Sequence, residues 1–252
     1  MKYKTICISD IHLGSKDSKT LLLLDFLKNN KAENLFLIGD IIDGWKIKQK
    51  KWKWDQSHSN CIRKILNYAK KSNVRYILGN HDEFLRPFLN HDISLGQITI
   101  HNHYDYTGIN GKKYLIIHGD LFDGILSYHK WISYLGDFLY EFILTLNTHF
   151  NWIRRKFGFG YWSLSKFLKL TVKHAVQFIV DYENNMIQYC KRKGYDGVIC
   201  GHIHHAEIKT VNGIEYMNDG DFVESCTALV EDFDGNWKIL TWEKIDETAV
   251  SD

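Results

Sequence analysis

A single proline, Pro87, stands in 252 residues, which excludes a proline-rich linker. Cysteine is sparse and scattered. Cys7, Cys61, Cys190, Cys200 and Cys226 are odd in number and form no CxxC pair, which argues against a disulfide framework or zinc ribbon and for a reducing compartment. Neither sign of charge dominates: 32 Lys and Arg face 30 Asp and Glu, a formal net charge of +2. So weak a global field does not recruit nucleic acid. No run of 18 residues lacks a charge, so a spanning helix is not expected. Residues 1–11 show no long apolar run and no small-residue cleavage site, so no secretory signal is expected and the expected location is the cytoplasm.

What is present is the balance of a soluble globular chain, 44% hydrophobic and 25% charged. The length suits one large α/β domain over 1–252 with an insertion, placed at about 125–193. Short apolar runs recur: Thr5 to Ser9, Leu35 to Gly39, Val74 to Gly79, Tyr114 to Ile117 and Gly197 to Gly201. Each is too short for a helix and reads as a buried strand. Helical patterns run from Ser18, read as an N-cap, to Asn29 and from His58 to Lys71. That alternation predicts a layered α/β fold. Over 206–243 the pattern alternates instead, with Asn212-Gly213 and Asp234-Gly235-Asn236 as hairpin turns.

Residues 125–185 break this rhythm. They hold 15 of the 36 aromatics, and seven Lys or Arg against four Asp or Glu. A nearly all-apolar stretch, His129 to Phe150, precedes the basic turn Arg154-Arg155-Lys156, and a long helix is expected from Ser163 to Lys193, stopped by Gly194.

Every buried strand ends in a residue able to ligate metal. The segments are Asp10-Ile11-His12, Gly39-Asp40-Ile41-Ile42-Asp43, Gly79-Asn80-His81-Asp82, His118-Gly119-Asp120 and Gly201-His202-Ile203-His204. Side chains at the carboxyl ends of strands converge on the crevice where α/β sheets bind ligands. Three carboxyl or amide oxygens and four imidazoles are too many for one ion. The mixed oxygen and nitrogen donors favour manganese, iron or zinc over calcium or magnesium. Two ions sharing Asp40 is the arrangement used for phosphoryl displacement.

The series Asp-x-His, Gly-Asp-x-x-Asp, Gly-Asn-His-Asp, His and Gly-His-x-His resembles the calcineurin-like metallophosphoesterase superfamily. More narrowly, GDIIDGW, GNHDEF, IHGDLFDG, YWSLS, CGHIHHAE and NDGDFVESCTALVE resemble the UDP-2,3-diacylglucosamine hydrolase (pyrophosphatase) group. The resemblance implies a four-layer α/β/β/α sandwich with a helical lid and two divalent ions, manganese foremost. It implies one metal on Asp10, His12, Asp40 and His204, and a second on Asp40, Asn80, His118 and His202. It makes His81 a catalytic residue that stabilises charge or protonates the leaving oxygen, with Asp82 as the carboxylate that orients it. Asp43 reads as a structural carboxylate or one standing behind the ligands, not as a ligand; His205 and Asp120 adjoin ligands without an assigned role.

One motif departs from the group: the best-known lipid A enzymes have Arg where this chain has His81, which points to a sister branch. The implied reaction is hydrolysis of UDP-2,3-diacylglucosamine to UMP and the acylated sugar 1-phosphate, in lipid A synthesis. A phosphodiesterase acting on another phospholipid or a nucleotide, and a silent scaffold, are the alternatives. The implied lid would meet a nucleotide-lipid or phospholipid at the inner-membrane surface, bound peripherally. Arg154, Arg155 and Lys156 would face lipid phosphates, and Lys166, Lys169 and Lys173, on one face of the long helix, would face the diphosphate.

Overall fold

The computed structural model describes residues 2–91, 94–125 and 164–243, and the side chains of all of these except 90–91, 123–125 and 164–176. The chain divides into two compact units, Met1–Leu121 with Met186–Asp252, and Phe122–Asn185. The first unit carries both sheets.

In the larger sheet β1 (Tyr3–Ile8), β2 (Ala32–Ile38), β3 (Asn73–Ile77) and β5 (Ile98–His101) run parallel, extended at one edge by the short β4 (Ser94–Leu95). At the other edge β11 (Thr227–Glu231) pairs antiparallel with β1 and with β12 (Trp237–Thr241). The smaller sheet has the order β6 (His103–Thr107), β7 (Lys113–Ile117), β8 (Gly197–Cys200), β10 (Ile214–Asn218), β9 (Glu207–Val211). Only Asn102 separates β5 from β6, so the chain steps between sheets there. The two C-terminal hairpins go to different sheets.

Near-continuous apolar strands are explained by burial on both faces. From β1 and β2, Ile6, Ile8, Leu35 and Leu37 join Leu23, Phe26, Cys61 and Ile65 of the helices α1 (Thr20–Asn29) and α3 (Gln56–Ala69). The alternate residues Cys7, Phe36 and Ile38 meet Tyr106, Tyr114, Ile116, Ile199 and Met217 of the smaller sheet. The long helix α4 (Leu164–Lys193) buries Met186, Ile187 and Cys190 near its end, where Gly194 adopts φ +77°. Two sheets flanked by helices form the expected metallophosphoesterase sandwich. No described helix is long and apolar enough to cross a membrane.

Local details depart from expectation. Helix α1 is preceded by Lys19 without a side-chain cap, and the Ser18 hydroxyl has no hydrogen-bond partner. Helix α3 starts earlier than expected, because Asp55 accepts from Ser57 N and His58 N while the His58 ring reaches back to Asp55 N, a reciprocal cap. Strands β5 and β6 escaped the pattern reading because Thr99, His101, His103 and Asp105 interrupt their apolar residues, and β4 is only two residues long.

A polar bridge crosses the otherwise apolar space between the sheets. Tyr106 on β6 shares a 2.6 Å hydrogen bond with Thr5 on β1 and donates to Glu231 on β11, whose other oxygen accepts from Ile109 N at 2.9 Å. Glu231 is fully buried, so its oxygens depend on these donors. Tyr106→Phe is expected to lower unfolding free energy by about 1–3 kcal/mol, the cost of orphaning a buried acceptor. Urea titration measures it, and an unchanged midpoint would show that water replaces the phenol.

Candidate metal centre

The loops after β1, β2, β3, β7 and β8 meet at one end of the two sheets. They turn sharply. Asp10, His12, Asp40, His202 and His204 all have φ between +50° and +73°, and among the described residues only Lys50, Asn212 and Cys226 share that conformation without being glycine. Left-handed backbone in Asp and His costs of order 1–3 kcal/mol each and persists where the surroundings over-determine it. Here it turns donor atoms inward. Gly79 is required for a different reason: a Cβ there would lie 2.2 Å from Oδ1 of Asp40.

Three groups of side chains each place their donor atoms within 4.8 Å: Asp10, His12 and His204; His12, Asp40 and His81; and Asp40, His118 and His202. His12 and Asp40 are each shared by two groups, so the donors form one continuous cluster. The orientation of each donor is set by a bond on its far side. Asp10 Oδ2 accepts from Ser9 Oγ at 2.5 Å and His202 N at 2.9 Å, which leaves Oδ1 facing His204 Nε2 at 3.0 Å and His12 Nε2 at 3.7 Å. Asp40 Oδ1 accepts from His81 N at 2.8 Å, and Oδ2 lies 3.4 Å from His118 Nε2, 3.8 Å from His81 Nε2 and 3.9 Å from His12 Nε2. His118 Nδ1 lies 2.8 Å from the Ile38 carbonyl. A carbonyl can only accept, so Nδ1 carries a proton, and in the neutral ring the Nε2 lone pair faces the cluster.

These residues fit divalent cations. His12 Nε2 and Asn80 Oδ1 are buried without a hydrogen-bond partner, and both belong to the predicted ligand set. Orphaned buried donors and acceptors are rare unless something else satisfies them. All seven predicted ligands therefore lie in this cluster or on its loops.

The electrostatics show what replaces a cation when none is bound. Burial opposes charge on His12, yet the facing carboxylates of Asp10 and Asp43 push its imidazole up to about 10. Burial likewise opposes charge on His118 and His204, and the carboxylates of Asp40 and Asp10 respectively raise both. Burial works against ionisation of Asp10, but the facing imidazoles of His12 and His204 outweigh it and hold the carboxyl well below the usual range. Carboxylate charge thus favours the protonated form of His12, His118 and His204.

The carboxylate that orients His81 is Asp43, not Asp82. Asp43 Oδ1 accepts from His81 Nδ1 at 2.8 Å, and Oδ2 lies 3.4 Å from His12 Nδ1. Asp43 also caps the short helix α2 (Gly44–Lys48), on which Trp45 stacks against the His81 ring with centroids 4.1 Å apart. Asp82, fully buried, instead accepts from Ile41 N, Ile42 N, Gly79 N and Tyr76 Oη, and so pins the loop that carries Asp40. Burial and the Asp40 charge push the Asp82 carboxyl up from its ordinary value. Asp120 accepts from Arg86 at 2.6 Å, and His205 is exposed. Arg154, Arg155 and Lys156 lie outside the described residues; Lys166, Lys169 and Lys173 lie on α4 where side chains are not described. Sequence reading missed Ser9 and Asp219, whose only local signal was adjacency to Asp10 and to the Asn-Asp-Gly-Asp turn.

Because ligation requires deprotonated imidazoles, cation affinity rises with pH. The raised His12 gives the metal-free protein stability that is complete below the ordinary histidine value and lost as pH climbs toward about 10. Addition of Mn2+ should therefore raise Tm more at pH 8 than at pH 6, by several degrees in scanning fluorimetry. An equal shift at both pH values would mean that the imidazoles are not the ligands.

Residues 3–206 match the family profile described as calcineurin-like phosphoesterase. None of the curated proteins is significantly similar in sequence. Among solved structures, an archaeal phosphodiesterase is 14% identical, covering 96% of this chain and 99% of its own, with a TM-score of 0.42. Vps29 of Cryptosporidium parvum is 12% identical, with 98% and 100% covered and a TM-score of 0.44. A predicted phosphoesterase of Streptococcus pneumoniae is 13% identical, with 96% and 98% covered and a TM-score of 0.38. Likeness so distant carries no argument about activity. The profile match does, for it spans well over half of the chain and encloses every ligand motif from Asp10 to His204: this chain belongs to the calcineurin-like phosphoesterase family, hydrolases that bind divalent metals.

Proposed function

We propose that the protein hydrolyses a phosphoric ester or pyrophosphate bond with two divalent cations, manganese foremost, and that its substrate is UDP-2,3-diacylglucosamine, cleaved to UMP and 2,3-diacylglucosamine 1-phosphate. The observation that carries the reaction class is the continuous donor cluster, in which His12 and Asp40 each belong to two groups. Asp10, His12, Asp40 and His204 would hold one cation, and Asp40, Asn80, His118 and His202 the other. Such cations supply Lewis-acid charge to a transferring phosphoryl group. A silent scaffold has no use for two buried orphan donors, which speaks against that alternative.

His81 has the geometry of an acid. Asp43 fixes its Nδ1–H, Trp45 covers one ring face, and Nε2 is directed toward the cluster, 3.8 Å from Asp40 Oδ2. Bonds from His12 and His81 outweigh burial and keep Asp43 ionised, so it holds the imidazole in one tautomer. A proton on Nε2 can then pass to the oxygen of the leaving group. His81→Ala should keep both ions and slow turnover by about 10²-fold. Metal analysis alongside the rate decides it: an ion lost with the imidazole would make His81 a ligand.

The substrate proposal rests on the stretches shared with the diacylglucosamine hydrolases and on the aromatic, net-basic 125–185 segment. A lid of that composition suits an amphiphile at the inner-membrane surface, with Trp131, Trp152 and Trp162 at headgroup level. Each basic residue near an anionic leaflet adds about 1 kcal/mol. The test is a turnover panel with the Mn2+-loaded protein: UDP-diacylglucosamine, bare nucleotide-sugars, phospholipids and bis-p-nitrophenyl phosphate. The lipid-linked nucleotide should be turned over fastest. Replacing Arg154, Arg155 and Lys156 by Ser should weaken co-sedimentation with anionic liposomes and slow that substrate, while sparing the small diester. Equal loss of both activities would make the segment part of the core. Preference for a bare nucleotide or another phospholipid would leave the reaction and replace the substrate.

A further inference from the structure

The turn after β10 reaches beneath the metal centre from the far end of the chain. Asn218 Nδ2 donates to the Gly201 carbonyl at 2.8 Å, Asp219 N donates to the Cys200 carbonyl at 3.0 Å, and Phe222 N donates to the Asp10 carbonyl at 3.1 Å. The turn therefore touches both the loop that carries His202 and the loop that carries Asp10. None of these bonds needs a carboxylic acid at position 219. Yet Asp219 is fully buried, and its Oδ2 has no hydrogen-bond partner. Its Oδ1 lies 2.7 Å from the Ser9 hydroxyl.

Ser9 is the junction. Its Oγ lies 2.5 Å from Asp10 Oδ2, 2.7 Å from Asp219 Oδ1 and 3.1 Å from the Gly220 carbonyl. A hydroxyl carries one hydrogen and two lone pairs, so it can donate to one oxygen while accepting from another. Space is kept for it: a Cβ at Gly201 would lie 2.2 Å from Ser9 Oγ and 2.7 Å from Asp10 Oδ2. Any larger residue at 201 would push the hydroxyl off both carboxyls. Asp10 Oδ2 is thus committed to Ser9 and to the His202 amide, and only Oδ1 faces the imidazoles of His12 and His204.

We propose that Asp219 is a positioning residue for the metal centre: through the Ser9 hydroxyl it fixes Oδ2 of Asp10 and so presents Oδ1 to the cation held with His12 and His204. The chain Asp219–Ser9–Asp10 sets which oxygen binds and stops the carboxylate from swinging. Burial raises the Asp219 carboxyl well above its ordinary value against the pull of the Ser9 hydrogen bond, and the nearby Asp10 charge adds to the rise. Bonds of this kind to a ligating group are commonly worth 10- to 100-fold in metal affinity.

The inference rests on the two-cation reading, and metal binding separates the two. Mn2+ binding to the apo protein is followed by calorimetry, with circular dichroism as the check on folding. The wild type should bind two ions; fewer would sink the two-cation reading itself. Given two, Ser9→Ala and Asp219→Ala should each weaken one of the two sites by 10- to 100-fold and leave the other within threefold. The double variant should be no weaker than Ser9→Ala alone, because both act along one chain. Asp219→Asn, whose amide can still donate to Ser9, should restore affinity to within threefold of wild type. Wild-type affinity in Ser9→Ala would overturn the proposal, as would additive losses in the double variant or equal weakening of both sites. If Asp219→Ala does not fold, Ser9→Ala and Asp219→Asn still decide the matter: an Asn variant as weak as Ser9→Ala rejects the relay.

Discussion

Five carboxylates packed into one buried volume are the constraint that the rest of this structure answers. Asp10, Asp40, Asp43, Asp82 and Asp219 are each no more than 2% exposed. Like charges at such distances cannot all stay ionised without compensation. The compensation comes in three forms. Backbone N–H groups serve Asp10, Asp40 and Asp82; imidazoles face Asp10, Asp40 and Asp43; and Asp219 meets a hydroxyl instead of a charge. What remains is an excess of negative donors around His12 and Asp40, which a divalent cation neutralises and a proton only partly replaces. The left-handed backbone at Asp10, His12, Asp40, His202 and His204 is the steric cost of aiming so many donors at one point.

That cost is borne because the two sheets are stiff. Strands β1, β2 and β3 are apolar on both faces, so a shift of any one would expose or overpack a core on each side. The loops they carry can therefore hold strained dihedrals that an exposed turn would relax. The Tyr106–Glu231 bridge adds direction to packing that is otherwise non-directional, tying β6 to β11 across the space between the sheets. Rigidity of this kind matters for phosphoryl chemistry, where the protein contributes position and charge more than covalent steps.

Much of this was legible in the sequence, and for a physical reason. A parallel strand buried on both faces must be apolar throughout, so its end is marked by the first polar residue, and here that residue is a proposed ligand after β2, β7 and β8. The hairpin at Asn212-Gly213 was equally plain, since both positions require positive φ. Elements whose identity depends on contacts distant in the chain were not legible. Asp43 and Asp82 sit at similar spacing from ligands, and nothing local says that the first grips His81 while the second caps the loop of Asp40. Ser9 and Asp219 are 210 positions apart, and only the antiparallel return of β11 along β1 and the packing of β10 beside β8 bring them together. Strands β5 and β6 were hidden by half-exposed polar residues, and the cap of α3 by a histidine standing where the usual box has Glu or Gln.

The same distinction separates what the centre determines from what it leaves open. Every proposed ligand, and His81, belongs to the unit made of Met1–Leu121 and Met186–Asp252. Those groups recognise a phosphoryl centre by charge and distance, and a phosphoryl centre is common to nucleotides, phospholipids and nucleotide-lipids alike. Selection among them has to come from contacts with the remainder of the substrate, where an acyl chain needs apolar area and a headgroup needs cations at its rim. The 125–185 segment has both in its composition, whereas the centre itself has no apolar side chain among its donors. Chemistry and specificity therefore sit on different parts of the chain. On the proposed reading, a change in the basic turn would alter the substrate without touching the metals, and the His81 departure would alter proton transfer without altering substrate choice.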